Sequence, residues 1–225
     1  RPLGLAYLIL AVLFTLSGAK PYYLAGIYFV LFAAGGVWAE RRLEARQSAG
    51  GGRGWALLVA AGAAAPLPLA LPVLPARALP TASWEGNVNK DLSATVGWPD
   101  LVRQLAAVAR TLPPDERRHL VVYAGDYGAA GAVDLWGGRY GLPSAISGHN
   151  SYWWWGPGAV ADGATTIAVD LPKAYLSTIF SQVRAGGTVL TPGGVWTEER
   201  GDPIWICRGQ NRSWAAAWPA ARHYG

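Results

Sequence analysis

The stretch HLVVYAGDYGAAGAVD, residues 119–134, decides how the larger part of this chain folds. Residues 119–124 form a short apolar run of strand length that stops at a glycine. The residues after it predict a helix from 127 to about 139. A strand feeding a helix through a tight turn is the unit of an α/β fold. Upstream, Leu101, Leu105, Val108 and Leu112 recur at helical spacing, with Arg103 and Arg110 off that face, so 97–112 reads as an amphipathic helix. Pro113 and Pro114 end it. Downstream, short strands are expected at 145–147, 165–169 and 188–191, and a helix at 172–180 with proline in its first turn. Residues 198–202 are expected to turn a hairpin into a strand at 204–208, and Ser213 to cap a final short helix. Strands alternating with helices predict a three-layer α/β domain with a mostly parallel sheet over residues 80–225.

The first 79 residues have a different character. Charge-free stretches run over 2–19, 21–39 and 54–76. A membrane-spanning helix needs about 20 mostly apolar residues, and all three qualify on that count. Pro66, Pro68, Pro72 and Pro75 make the third the weakest. The expected fold is therefore an α-helical membrane segment of about three transmembrane helices (1–79), followed by an extracytoplasmic α/β domain. Orientation follows from the loops: Arg41, Arg42, Arg46 and Arg53 put residues 40–53 on the cytoplasmic side, while the first loop holds only Lys20. Three glycines, Gly50 to Gly52, loosen that cytoplasmic link.

Composition excludes several classes of function. Residues 1–79 carry seven Lys/Arg against two Asp/Glu, and 80–225 carry twelve of each, so the net +5 lies wholly in the first third. The neutral remainder does not suit nucleic acid. Twelve Trp, ten Tyr and four Phe rule out intrinsic disorder. A single cysteine, Cys207, cannot form an intrachain disulfide, and no Cys/His spacing suggests zinc. With no methionine and an apolar run directly behind Arg1, the chain reads as the carboxy-terminal piece of a longer protein.

Three segments are candidates for chemistry. In SGAKPYY, residues 17–23, Pro21 is placed to open the second apolar helix, so its N–H end, Lys20, Tyr22 and Tyr23 together form a cradle for a phosphate. The same residues also suit plain interfacial anchoring. In GDYGAAGA, residues 125–132, the glycines follow GxxGxxG rather than the dinucleotide fingerprint, and close helix–sheet packing explains them equally. In SGHNSYWWWGPG, residues 147–158, three successive tryptophans cannot all enter one core. Here His149, Asn150, Tyr152, Trp153 and Trp154 are the candidate cavity or sugar contacts. His149 serves either as a general base or as a hydrogen-bonded loop histidine, and no second catalytic group is linked to it by spacing. The acids Asp126, Asp134, Asp162 and Asp170 form no recognisable pair in sequence.

Taken together, GAKPYYLAGIYFVLFAAGG (18–36), TVGWPDLVRQLAAV (95–108), VVYAGDYGAAGAVD (121–134) and GLPSAISGHNSYWWWGPG (141–158) resemble a known group. These are the bacterial GT-C membrane glycosyltransferases related to protein O-mannosyltransferases and lipid A aminoarabinose transferases. The resemblance covers about residues 10–208, with Gly26 and Phe29 standing where members commonly have proline. It implies an integral-membrane enzyme of the bacterial plasma membrane. Such an enzyme moves a sugar from a polyprenyl-phosphate-linked donor to a lipid, glycan or protein acceptor on the outer face. It further implies that Lys20 and Tyr23, with Tyr22, contact the carrier phosphate. The catalytic acids of the group lie in an early outer loop that this sequence does not contain, so no catalytic residue is expected here and the stretch by itself is expected to be inactive. Metal dependence varies in the wider class; the cofactor is left open, as no ligands for a divalent metal are visible. The alternative is a membrane-tethered saccharide-binding or sensor module without catalysis. A nucleotide-dependent enzyme using 125–132 is disfavoured by the outward placement of that loop.

Overall fold

The structure, a computed structural model, describes residues 2–18, 21–46, 51–65, 67, 75, 78–79 and 90–224. The chain divides into two compact units, Arg1–Leu67 and Pro68–Gly225. The first holds α1 (Pro2–Leu16), a 3-10 turn (Pro21–Leu24), α2 (Ala25–Arg46) and α3 (Gly51–Ala64). Within it, Tyr7 meets Tyr28 and Phe14 meets Tyr23 between α1 and the segment that follows, and Trp38 meets Trp55 between α2 and α3. No residue of α1 is buried, and Phe29 and Phe32 of α2 point outward.

The expectation of about three transmembrane helices is corrected here. Among the described residues one helix, Tyr22–Arg42, is long and apolar enough to cross a membrane, with 21 residues. At 1.5 Å per residue it spans about 32 Å, against a hydrocarbon core of about 30 Å. Helix α1 has 15 residues and α3 has 14, only about 21–23 Å each. Absence of charge does not set helix length. Helix α1 stops at Gly18, whose φ of +68° is the left-handed geometry that closes a helix. Helix α3 stops just before Pro66, which disfavours helical geometry in the residue preceding it. With one such helix, counting crossings no longer decides which side of the membrane the second unit faces.

The second unit contains α4 (Lys90–Ser93), α5 (Trp98–Arg110), α6 (Pro114–Arg118), β1 (Val121–Ala124), α7 (Tyr127–Trp136), β2 (Ala145–Ser147) and α8 (Ser151–Trp155). It continues with β3 (Thr166–Val169), α9 (Lys173–Leu176), β4 (Phe180–Thr188), β5 (Pro203–Gln210) and α10 (Trp214–Ala221). The sheet runs β2-β1-β3-β5-β4. Strands β2, β1 and β3 are parallel, but β5 is antiparallel to β3 and β4 antiparallel to β5. The sheet is thus mixed, not mostly parallel.

Alternation along each strand divides the core into two layers. Val122, Ala124, Ile167, Val169 and Ile204 face Leu101, Val102 and Leu105 of α5 and Ala129, Ala130 and Val133 of α7. Val121, Tyr123, Ile146, Ala168 and Cys207 face Leu176, Phe180 and Trp214, Ala217 and Trp218 of α10. Both faces of β1 and β3 are therefore covered, which is why these strands are buried at every position and apolar at all but Thr166.

Two expected elements differ. In place of a helix over 172–180, α9 covers only Lys173–Leu176, and β4 begins at Phe180 rather than near 188. Strand β4 is an edge strand with mostly exposed side chains, so it lacks the apolar run that marks a buried strand. Its Gly186 sits at a register irregularity, where a Cβ would come 2.9 Å from both Val108 of α5 and Ile206 of β5. Close packing demands glycine there, and glycine hides the strand from propensity.

Candidate functional site

The carboxyl ends of the three parallel strands lie side by side, and each delivers a polar residue directly after its last apolar one. Strand β1 leads through Gly125 to Asp126, β2 through Gly148 to His149, and β3 to Asp170. In open α/β sheets this edge is where ligands bind.

Asp126 is the N-cap of α7. Its Oδ1 accepts from the amides of Gly128 (2.5 Å) and Ala129 (3.2 Å). The helix N-terminus is therefore already occupied by the protein's own carboxylate, which excludes a phosphate from the GDYGAAGA turn. The glycines there serve packing: a Cβ on Gly125 would fall 1.7 Å from the Asp170 carbonyl oxygen, and one on Gly128 2.9 Å from the Trp98 ring.

The other carboxylate oxygen of Asp126 lies 3.1 Å from Nδ1 of His149. A carboxylate only accepts, so the shorter contact has Nδ1 carrying the proton and donating to Asp126, while the Tyr127 amide also points at Nδ1 from 3.4 Å. His149 is 7% exposed, and its Nε2 has no hydrogen-bond partner. Burial holds its pKa below the usual histidine value; Asp126 opposes that and the neighbouring His223 adds to it. The two imidazoles stack with centroids 4.7 Å apart. Both nitrogens of His223 face carbonyl oxygens at 2.8 Å, Nδ1 to Ala221 and Nε2 to Gly125. The tail is further tied by backbone bonds from Asn150 to His223 and from His223 to Gly148. His149 is thus an oriented neutral imidazole whose unspent acceptor, Nε2, is itself buried.

Asp170 has φ +55° and Asn150 φ +51°, the two non-glycine residues with left-handed backbone among those described. Such outliers persist only where surrounding structure holds them. Burial, followed by the charges of Asp202, Asp126 and Glu199, raises the Asp170 pKa to about 7, and Asp170 donates a hydrogen bond to Asp202. Burial likewise raises the pKa values of Asp202 and Glu199. Asp170 stands between two adjoining clefts. One, of about 330 Å³, is lined by Tyr123, Asp170, Tyr175, Arg222 and His223 among others; the second, of about 250 Å³, reaches Lys173, Asp202 and Trp205.

The tryptophan segment forms α8. Trp153 is packed on the second core layer and exchanges hydrogen bonds of 3.0 Å with Trp218, each indole donating to the other's carbonyl. Trp154 and Trp155 are 68% and 69% exposed. Tyr152 donates to Asp134 at 2.7 Å. The guanidinium of Arg222 lies over the rings of Trp153 (4.5 Å) and Trp154 (4.9 Å). His149, Asn150, Tyr152, Trp153 and Trp154 therefore share one loop and helix, but they point into different surroundings. In the first unit Tyr22 and Tyr23 are 56% and 57% exposed in the 3-10 turn ahead of α2, with rings edge to face at 5.0 Å. Lys20 lies outside the described residues.

Sequence reading found His149 but not its partner Asp126, nor Asp170, Tyr175, Arg222 or His223. The rule that polar residues just after parallel strands meet at one edge identifies Asp126 and Asp170; nothing local marks His223. Among the described residues no group of three or more His, Cys, Asp or Glu is placed to hold a metal ion. Comparison with protein families, with curated proteins and with solved structures returns no match to this chain.

Proposed function

We propose that this chain is the carboxy-terminal part of an integral-membrane glycosyltransferase, moving a sugar from a polyprenyl-phosphate-linked donor to an acceptor on the outer face of a bacterial plasma membrane. The observation that carries this reading is the helix Tyr22–Arg42, of membrane-crossing length, with Tyr22 and Tyr23 exposed at its start directly behind Lys20. A phosphate there meets two phenols and the positive end of a long helix, with Lys20 the next-but-one residue before Tyr22 in sequence.

The roles follow from where charge develops. The acceptor hydroxyl loses its proton to an acid residue supplied from outside this stretch, its oxygen bonds to the anomeric carbon, and the carbon–oxygen bond to polyprenyl phosphate breaks. The leaving phosphate gains negative charge, which Lys20 and the helix terminus stabilise. The arginines of 40–53 put the Lys20 end of this helix on the outer side; an outer placement of the second unit rests on the resemblance alone. The test is transfer from a labelled polyprenyl-phosphate sugar by the full-length protein in membranes. Lys20→Ala lowers turnover more than it lowers folded yield; an equal loss of both overturns the phosphate role and leaves an anchor.

A second reading, a membrane-tethered saccharide-binding module, is favoured by one observation: the α/β unit has its own clefts at the sheet's carboxyl edge. Saccharide binding by a full-length protein that transfers nothing supports it over the first.

A further inference from the structure

The larger cleft lies between the carboxyl end of β3, helix α9 and the residues that close α10. Its polar groups are not equivalent. Tyr123 is 1% exposed, and its hydroxyl lies 2.8 Å from that of Tyr175. The buried phenol has no other place for its proton, so Tyr123 donates and half-buried Tyr175 keeps its own O–H free for the cleft. Asp170 reaches the same space from a left-handed backbone, held there by Gly125, which has no room for a side chain against it. Its proton faces Asp202, so toward the cleft its carboxyl accepts. Both ring nitrogens of His223 face carbonyl oxygens rather than the cleft, so it forms wall rather than ligand contact. Arg222 stands at the mouth, clamped on Trp153, Trp154 and Tyr224.

We propose that this cleft binds a neutral saccharide unit, with the Tyr175 hydroxyl and the Asp170 carboxyl hydrogen-bonded to its ring hydroxyls and Arg222 at the rim. The volume lies at the small end of ligand pockets, suited to one or two sugar rings. The acids Asp126, Asp202 and Glu199 around Asp170 repel a phosphate or carboxylate from the floor. The guanidinium at the mouth, and the proton that Asp170 retains, work against an amine. What remains is a ligand of hydroxyls, each both donor and acceptor, matching a phenol that donates and a carboxyl oxygen that accepts. The inference rests on the α/β unit meeting sugars and not on the transfer reaction.

The test uses the full chain in a detergent without sugar headgroups, such as lauryldimethylamine oxide. The probes are methyl α-D-mannopyranoside, methyl β-D-galactopyranoside and methyl β-L-arabinopyranoside, read by saturation-transfer NMR. The wild type transfers saturation to the ring protons of at least one glycoside. Tyr175→Phe keeps the fold and weakens that binding about three- to tenfold, the worth of one hydrogen bond. Tyr175→Trp, which fills the cleft, abolishes it, and Leu135→Ala, on exposed α7 surface, leaves it unchanged. Transfer to none of the three glycosides, or wild-type affinity in Tyr175→Phe, overturns the proposal. Binding with no sugar transfer by the full-length protein removes the transferase reading alone; sugar transfer by the full-length protein with no binding in this assay removes the cleft alone.

Discussion

Replacing Asp170 with asparagine is expected to stabilise the α/β unit, increasingly as pH rises from about 4 to 7. Asp170 has a pKa raised from an ordinary 3.8 to about 7. Between those values the native state holds a proton that the unfolded chain has released, so stability falls as pH rises through the window and its loss is complete above about 7. At about 1.4 kcal/mol per tenfold change in proton affinity, the full displacement corresponds to about 4 kcal/mol. Asp170 is only partly buried, so solvent screening reduces this to about 1–2 kcal/mol. Asparagine tolerates the left-handed φ of +55° and can still donate to Asp202, as the protonated acid does. The two proteins should therefore match within about 0.5 kcal/mol below pH 4, while at pH 8 the variant melts about 3–8 °C higher. Urea unfolding followed by near-UV circular dichroism at half-unit steps from pH 3.5 to 8 reads this directly. A stability difference that stays constant across that range refutes the placement of a retained proton on Asp170.

Three other outcomes follow from the same edge of the sheet. His149 has a lowered pKa, so its contribution is complete above the ordinary value of 6.5 and is lost as pH falls below it; His149→Gln should flatten the acid limb of the stability profile, and an unchanged limb counts against a buried neutral imidazole. Asp126→Ala removes the cap from two amides and the partner of His149, at a cost of about 1–3 kcal/mol; Asp126→Asn should retain most of that, as seen in urea midpoints. Gly148→Ala places a Cβ 2.0 Å from the Ala221 carbonyl oxygen, so the tail must shift; the Asn150 and His223 amides should then exchange faster, and unchanged protection would show that the tail does not depend on this contact.

The local part of the fold is written where a single element meets a single layer. Leu101, Leu105 and Val108 return every three or four residues because one face of α5 is buried and the other is wet. Residues 121–124 and 167–169 are apolar throughout because both sheet faces are covered. Ser213 accepts a hydrogen bond from the Ala216 amide and caps α10, an interaction that spans three residues and needs no tertiary help. The apolar character of 2–19 and 54–76 is equally plain, yet helix length there depends on where Gly18 turns the chain and where Pro66 stands, which a count of charges does not weigh.

Only the tertiary structure decided how these pieces combine. A strand's sequence records which faces are buried but not the direction of its neighbour, so the antiparallel pairing of β5 with β3 was not readable from Ile204 and Ile206. Strand β4 escaped because an edge needs no continuous apolar run and because Gly186 answers to Val108 and Ile206, far away in the chain. The site is non-local in the same sense. Asp126, His149, Asp170 and His223 lie on four separate segments, and hydrogen bonds from His149 to Asp126 and from His223 to Gly125 join them once parallel pairing aligns the strand ends. Spacing along a chain reports what one helix or strand can present, whereas proximity between segments depends on register and packing, which are properties of the folded unit.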